Sequence, residues 1–433
     1  MPDHASCPAP RLRCARRDDV QTWTLSLDQM LTPDHPARTA WAFASRLDLT
    51  PLYAAIRAVE GHPGRPHIDP RLLFALWLYA TLDGVGSARQ LRRLCRDHTA
   101  YRWLCGGVSV NYHTLADFRV AHAALLDDLL TESVAALMHE GLASLEAVAQ
   151  DGLRVRASAG ADTFRRKPTL HELLGKARAH VEALRRQAGE GPATASARQQ
   201  AARQRAAGER IERLEAALAQ MPALEASREA FEKGSGWKAR ASTTDAQARV
   251  TKMPDGGFRP AYNLQFATDT ASGLIVDATA VGQATDNGQL GPCLQRVGAR
   301  YGHSPTRVLV DAGFGSRDDV QAAHTSGVEV YMPVKEEAKK RARGEDPFAP
   351  RPGDKPGVAA WRVRMGAAEA QALYRRRAAT AEWVNAGCRN RGLYQVRVRG
   401  LAKVRCAALW QALAHNLIRS EALRQEKRAS WAA

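Results

Sequence analysis

The stretch RVLVDAGFGS, residues 307–316, decides the predicted fold, because a strand, a carboxylate and a turn follow one another in it. Residues 308–310 are bulky and apolar, as expected of a short buried strand. Gly313 and Gly315 allow the chain to turn where a side chain would obstruct it. Asp311 is therefore expected at a strand end, the place where open α/β sheets carry their chemistry.

The residues after this turn predict a helix. Ser316 is a preferred helix N-cap, and Asp319 stands three residues later, in the first helical turn. The segment therefore indicates strand, carboxylate, turn and helix in that order. An aspartate in such a turn can also simply accept hydrogen bonds from its own backbone. Both interpretations of Asp311 stay open at this point.

The composition indicates an ordinary globular protein. The chain has 433 residues, enough for two or three domains, and 45% of them are hydrophobic. The longest strongly apolar run, at 72–82, is too short to span a bilayer, and no signal-peptide core follows the Arg-bearing N-terminus. The seven cysteines are scattered without a Cys-x-x-Cys pair. We expect a cytoplasmic protein with reduced thiols and no membrane partner.

The charge points to a polyanionic partner. The formal net charge is +17, and residues 358–433 carry 15 basic and 4 acidic residues, so +11 of it lies there. Most of these cations are arginines, which suit bidentate phosphate contacts. A basic surface can also serve solubility alone, but the balance favours nucleic acid.

Periodicity and turn signals divide the chain into three parts. Residues 1–35 are predicted to be a flexible arm, residues 36–143 a helical domain, and residues 144–433 a domain that contains the sheet. Within the last part, residues 165–235 are predicted to form a helical hairpin insertion with one apolar stripe on each helix. The charged, Pro/Gly-rich segment 336–357 is predicted to be a mobile loop.

Two helices of the N-terminal part are candidates for contact with DNA. One is the basic helix at 87–97, and the other is the helix at 114–125. Short helices separated by Gly-containing turns are typical of helix-turn-helix readers, although many all-α domains share that outline. The sequence does not choose between the two helices.

Alternating patterns predict one mixed α/β sheet. A first strand leads to Asp151, the segments 262–269 and 274–281 form a predicted hairpin, and a helix near 286–301 precedes the strand before Asp311. Residues 328–334 supply a further strand. The sheet is expected to be interrupted after its first strand by the helical hairpin.

Three acidic residues are candidates for a nuclease site. Phosphodiester cleavage without a covalent protein intermediate commonly uses two divalent ions about 4 Å apart, which need oxygen ligands from carboxylates. Asp151 and Asp311 are expected at neighbouring strand tips. Glu382 is the third candidate, on a helix whose basic residues could grip the same phosphate backbone, with Arg375 and Arg389 on its face. A carboxylate lined by arginines can also be a surface salt-bridge network.

These motifs resemble those of bacterial insertion-sequence transposases of the DDE type. The resemblance covers about residues 36–420, nearly the whole chain. The segments that carry it are HPGRPHIDPRLLFALWLYATLDGVGSARQLRRL, DGLRVRA from Asp151, STTDAQARVTKMPDGGFRPAYNLQ, DAGFGS from Asp311, and Tyr374, Arg377 and Glu382 followed by RNRGLYQVRVRGLAKVRCAALWQALAHNLIR.

The resemblance implies a ribonuclease H-like mixed sheet flanked by helices, with an all-α N-terminal domain. It implies a DDE triad of Asp151, Asp311 and Glu382 that holds two Mg²⁺ ions, for which Mn²⁺ can substitute. It further implies cleavage at the element's terminal inverted repeats, joining of the freed 3′ hydroxyls to target DNA, and a homodimer on double-stranded DNA. Such a protein of a mobile element would be associated with the bacterial nucleoid when bound to DNA.

Two departures from the family pattern concern the segment around the glutamate. Arg389 stands where related elements often have lysine, which keeps a phosphate-binding cation but changes its geometry. The spacing from Arg377 to Glu382 is one residue longer than in some relatives. Tyr374, Arg375, Arg377 and Arg389 are the residues expected to contact DNA.

Two other functions remain open from the sequence. One is a noncatalytic DNA-binding remnant or repressor, and the other is a metal-dependent nuclease on the same fold that cuts without rejoining. Other acids also compete for places in the site. They are Asp245, Asp269, Asp277 and Asp286.

Overall fold

The computed structural model describes residues 24–59, 66–189 and 197–432, together with positions 17, 18, 20, 22 and 61. Residues 1–16 of the predicted arm and most of the predicted hairpin loop, 190–196, lie outside the described residues. The flexibility of the arm therefore stays a prediction.

The N-terminal part is helical, as predicted. Its central helix, α3, is buried along nearly its whole length, because its sequence is apolar on every face. Asp69 caps α3 by accepting from the backbone N–H of Arg71 at 2.8 Å. The helices are α1 (Pro36–Arg46), α2 (Thr50–Ala54), α3 (Pro70–Leu82), α4 (Ala88–Asp97), α5 (Thr99–Cys105), α6 (Tyr112–Ala121) and α7 (Ala123–His139).

A mixed sheet forms the middle of the molecule. The strands in chain order are β1 (Ala147–Arg156), β2 (Phe164–Arg165), β3 (Ala241–Ser242), β4 (Arg249–Lys252), β5 (Phe258–Asp269), β6 (Ile275–Val281), β7 (Arg307–Leu309) and β8 (Glu329–Tyr331). The large sheet has the order β4-β5-β1-β7-β8, and β6 pairs with β5. Strand β5 runs antiparallel to β1, β4 and β6, whereas β7 is parallel to β1 and β8 is parallel to β7. The predicted hairpin at 262–281 is confirmed.

The first strand is longer than the sequence indicated. Asp151 was expected at its end, but β1 continues to Arg156 and Asp151 pairs with Phe266 in its middle. The strand was expected to end at Asp151, whereas the alternating LRVRA segment extends the ladder with β5. The expectation that Asp151 lies at a strand tip was wrong.

The helical insertion lies between two short paired strands. Helices α8 (Lys167–Gly189) and α9 (Ala197–Phe231) follow β2 and precede β3, which pairs with β2. Their apolar stripes meet in one cluster that includes Leu170, Leu174, Leu214 and Met221. The cluster belongs to this insertion, so the two helices pack mainly on each other.

The remaining helices cover the sheet. They are α10 (Leu290–Tyr301), α11 (Arg317–Thr325), α12 (Glu337–Ala342), α13 (Pro356–Gly366), α14 (Ala368–Arg377), a π-helical turn (Ala378–Glu382), α15 (Trp383–Asn390) and α16 (Leu401–Ala432). Helix α12 lies inside the segment that was predicted to be a mobile loop, because EEAKKRA is a good helix-forming sequence. The mobility of that segment stays a prediction.

Helix α16 ties the N-terminal helices to the sheet. Asn416 accepts from the backbone N–H of Ile275 at 2.8 Å and donates to its carbonyl at 2.7 Å, so α16 covers the backbone of strand β6. On the same helix, the ring of Trp410 lies 4.9 Å from that of Phe74 in α3. One apolar cluster therefore runs from α1–α7 through α16 to one face of the sheet, and a second cluster fills the other face.

The strand order, the strand directions and the helices on both faces are those of a ribonuclease H-like α/β fold, as expected. In the described part of the chain, no helix is both long and apolar enough to cross a bilayer.

Candidate active site

The parallel pairing of β1 and β7 sets Asp151 beside Asp311. The last pair of the ladder is Ala149 with Leu309, and each aspartate stands two residues further along the chain, Asp151 inside β1 and Asp311 just after β7. Asp311 Oδ1 accepts from the backbone N–H of Gly313 at 2.7 Å. Asp311 therefore accepts a hydrogen bond from its own turn, as one of the two interpretations predicted. Because this bond uses only one of the two carboxylate oxygens, Asp311 can also be part of the site.

The helix that follows Asp311 begins as the sequence predicted. The backbone N–H of Asp319 donates to Ser316 Oγ at 3.1 Å, and Asp319 Oδ2 accepts from the backbone N–H of Ser316 at 2.8 Å. This reciprocal capping box fixes the start of α11. The turn that carries Asp311 is therefore held between β7 and a capped helix.

Asp151 is held by groups from the far end of the chain. Its Oδ1 accepts from Arg377 Nη2 at 2.9 Å, and its Oδ2 accepts from Asn385 Nδ2 at 2.8 Å. Burial raises the pKa of the Asp151 carboxyl, the Arg377 guanidinium and the N–H of Gly152 lower it, and the charges of Asp311 and Asp286 raise it again. The ionised form is thus disfavoured in the protein alone, and a cation at this place would favour it.

Glu382 ends a π-helical turn. The chain passes from α14 at Arg377 through Ala378–Glu382 into α15. A π turn arises when one extra residue is accommodated inside an α-helix, and such turns are frequent at functional sites. The turn therefore offers a physical account of the one-residue-longer spacing between Arg377 and Glu382. The turn packs against β1 and β5, and Glu382 itself is exposed.

The four residues expected to contact DNA differ in their surroundings. Arg375 and Arg389 are exposed. Arg377 is buried, and its guanidinium pairs with Asp151. Tyr374 is half-buried, and the charges of Arg377, Asp311 and Asp151 all influence its pKa, which burial raises. The structure thus brings Tyr374 and Arg377 to the two aspartates and leaves Arg375 and Arg389 facing solvent.

Asp286 also belongs to this cluster, although the sequence named it only as one of several competing acids. Its Oδ1 accepts from Asn263 Nδ2 and from Gln265 Nε2, each at 2.7 Å. A Cβ added at Gly152 would overlap Asp286 Oδ1, so glycine is needed for this approach. A glycine inside a strand often marks such a close approach, and that was the available signal.

The other three competing acids have structural partners. Asp245 accepts from the hydroxyl of Tyr262 at 2.6 Å, and Asp269 accepts from the N–H and hydroxyl of Ser272. Asp277 lies between Arg296 and Arg300, at 2.8 and 3.2 Å. All three are buried. Their carboxylates are engaged in holding loops and helices in place.

The donor atoms around Asp151 have the chemistry that a hard divalent cation prefers. They are carboxylate and amide oxygens, and the buried Oδ1 atoms of Asn263 and Asn385 have no hydrogen-bond partner. Within the described ranges, no three His, Cys, Asp or Glu side chains are close enough together to hold a metal ion as they stand. The oxygen set thus fits Mg²⁺ in kind, while Glu382 has to approach the two aspartates to complete a triad.

Two family models match the chain. A model described as a transposase DDE domain matches residues 234–417, and one described as a transposase domain (DUF772) matches residues 25–121. This chain is a DDE transposase of the insertion-sequence type. Together the matched ranges cover about two thirds of the chain, and the DDE domain includes Asp286, Asp311 and Glu382. Comparison with curated proteins and with solved structures gave no match.

This membership establishes the broad activity. The transposase is an enzyme that acts on DNA, and its family generally uses divalent metals. Asp151 precedes the matched DDE range, so its assignment depends on the geometry around it and on the resemblance of the motif DGLRVRA.

Proposed function

We propose that this transposase binds the terminal inverted repeats of its own insertion sequence, hydrolyses phosphodiester bonds at the ends and joins the freed 3′ hydroxyls to target DNA. The observation that carries the proposal is the register of β1 and β7, which sets Asp151 beside Asp311 under Arg377 and Asn385. The DNA is double-stranded at both the element ends and the target, and the active form on DNA is a homodimer that holds two ends.

Asp151, Asp311 and Glu382 would serve as the metal ligands of this site. Two bound Mg²⁺ ions, or Mn²⁺ in their place, would activate the attacking water or 3′ hydroxyl and stabilise the leaving oxygen. Asn385 holds Asp151 through one carboxylate oxygen, and Arg377 holds it through the other. These two partners keep the carboxylate in position, and Arg377 supplies the positive charge that a bound metal ion would otherwise supply.

The remaining residues of the site are assigned to DNA. Arg375 and Arg389 are exposed on either side of Glu382 in the chain and would contact the phosphates that flank the cleaved bond. Tyr374 and Arg377 are assigned to the DNA end itself, where a phosphate would compete with Asp151 for the Arg377 guanidinium. Displacement of that bond by substrate would couple DNA arrival to the freeing of a metal ligand.

The test uses purified protein, Mg²⁺ and a duplex that carries the element's flanking sequences. Asp151→Asn, Asp311→Asn and Glu382→Gln each remove one ligand charge, so cleavage should fall on the order of 100-fold or more while end binding persists. Asp318→Asn is the matched control, since that carboxylate is 81% exposed and pairs only with Lys355 in the described structure. Undiminished cleavage by one variant would remove its residue from the site.

The same assay separates a nuclease from a transposase. A target plasmid is included, and joined products are scored beside cut ends. Cut ends without joined products would favour a metal-dependent nuclease, and binding without cutting would favour a repressor or remnant.

A further inference from the structure

Helix α4 carries a row of four arginines. Arg89, Arg92, Arg93 and Arg96 are spaced i, i+3, i+4 and i+7, which places them on one face of a helix. The opposite face carries Leu91, which is fully buried in the apolar cluster of the N-terminal helices. Ser87 caps the helix by accepting from the N–H of Gln90. The row is therefore presented by a helix that is anchored through its other side.

The charges of this row are largely uncompensated. All four arginines are exposed, and so is Arg102 from α5. Among the described residues, Arg96 is the member that forms an ion pair, with Asp97 at 2.7 Å. Arg89 lies over the ring of Tyr112, 5.3 Å from its centroid. Clustered like charges raise the local potential and are relieved by an anionic ligand.

The arginines line a groove with a volume of about 550 Å³. It lies between α4, α5 and the loop before α6, and the loop residues Ser109 and Val110 form part of its wall. From Arg89 to Arg96 the helix rises about 10 Å, at roughly 1.5 Å per residue. One DNA strand carries a phosphate about every 3.4 Å along the duplex axis, so the row matches about three phosphates.

Helix α6, the other sequence candidate, has no comparable face. Its one arginine, Arg119, donates to the carbonyl of Gly86 and stacks on the ring of Trp77, 4.9 Å from its centroid. Burial lowers the pKa of Arg119 to about 10. Leu115 and Phe118 are buried as well. The helix is thus committed to internal packing.

We propose that the arginine face of α4, with Arg102, is a docking surface for the phosphate backbone of duplex DNA. The choice of DNA rests on the proposed function, in which the transposase grips element ends. The contact is electrostatic, so it holds the duplex without reading its sequence.

The experiment compares two charge-matched variants of the full-length protein. Arg92→Gln/Arg93→Gln removes two charges from the row, and Arg203→Gln/Arg205→Gln removes two exposed charges from α9 as the control. Binding is measured from low to high salt on an element-end duplex and on a scrambled duplex of equal length. Thermal unfolding verifies that both variants are folded.

The α4 variant should bind both duplexes about 10- to 100-fold more weakly near 0.1 M salt, with a log–log salt slope smaller by about 2, while the control keeps the wild-type slope. Arg92→Lys/Arg93→Lys should retain the slope, because the charges remain. An unchanged slope in the glutamine variant would overturn the proposal, and so would a loss confined to the element-end duplex.

Failure of the proposed function would be visible separately. The wild-type protein would then neither cut nor join at saturating DNA. The slope comparison would still report on α4, because it includes a duplex without element sequence.

Discussion

Arg377 Nη2 donates to Asp151 Oδ1 across 2.9 Å, joining two residues that are 226 positions apart in the chain. The arginine is buried, and it is the strongest of the influences that lower the pKa of a carboxyl that burial raises. The pair therefore connects the stability of the fold to the charge state of the candidate site.

Arg377→Gln should destabilise the protein, because Asp151 would then be left with an uncompensated charge. Removing one partner of a largely buried pair costs about 3 kcal/mol, measured here by urea unfolding. Adding Asp151→Asn to this variant should recover part of the loss, and purely additive effects would argue against direct coupling. The pKa of Asp151 should also rise in Arg377→Gln, so cleavage should need a higher pH.

Asp151→Asn alone should stabilise the metal-free protein at neutral pH. The pKa of Asp151 is raised in the folded state, so ionisation costs folding free energy above that pKa, and asparagine avoids the cost. The advantage of the variant should shrink as the pH falls through the raised pKa towards 3.8, where the wild-type carboxyl is protonated in both states. Thermal unfolding between pH 4 and 8 in a chelator measures it.

Adding Mg²⁺ should make the wild-type protein more stable than Asp151→Asn. A cation that binds the folded state raises the melting temperature of the wild-type protein through mass action. Asp151→Asn and Asp311→Asn should respond little, whereas Asp318→Asn should respond like wild type. An equal response in all four proteins would place the ion elsewhere.

Deletion of Ala379 should abolish cleavage while leaving DNA binding intact. Losing one residue converts the π-helical turn to a regular α-helix, which rotates Glu382 relative to Arg377. Replacement of Ala379 by serine keeps the residue count and serves as the control. Cleavage at the wild-type rate by the deletion variant would show that the wider turn has no part in the site.

Gly152→Ala should destabilise the protein by about 1–3 kcal/mol, because the added methyl group overlaps Asp286. The double variant Gly152→Ala/Asp286→Ala should regain part of the stability, because the methyl group would still lie 2.8 Å from Asn263 Oδ1. If Asp286 acts in the reaction, the double variant stays inactive, and if it only fills space, cleavage returns with the fold.

His415 should make stability depend on pH between about 6.5 and 4. Burial lowers its pKa to about 4, and its ring accepts from Arg391 and donates to the carbonyl of Gly273. A lowered histidine pKa contributes stability above the unfolded value of about 6.5 that is lost as the pH falls towards the folded value, about 3 kcal/mol in all. His415→Gln, which can form both bonds without titrating, should lose correspondingly less over that range in urea unfolding.

Local sequence patterns predicted several elements of this structure correctly. The alternation in 262–281 predicted the β5–β6 hairpin, and Ser316 with Asp319 predicted the start of α11. The position of Asp151 was wrong because the first strand was ended at that residue, whereas pairing with β5 extends the strand to Arg156. Local signals cannot report a ladder formed with residues more than a hundred positions away.

The candidate site could be predicted only in part from the sequence, for the same reason. Asp151 and Asp311 stand out by their motifs, but the bonds of Asp151 to Arg377 and Asn385 depend on how the chain returns to the sheet. The N-terminal helices show this limit too. The sequence separates them as a region, whereas Phe74 packs on Trp410 and shares one core with the sheet.

The contact between Asp151 and Asn385 has a consequence for protein synthesis. The two residues are 234 positions apart, so at about 5–20 residues per second Asp151 leaves the ribosome at least 10 s before its partner is made. A nascent chain, or one cut short by a nonsense mutation before α15, therefore contains Asp151 without Asn385, the residue that orients its carboxylate. We expect such fragments to cleave no DNA, because the candidate site is incomplete without α15.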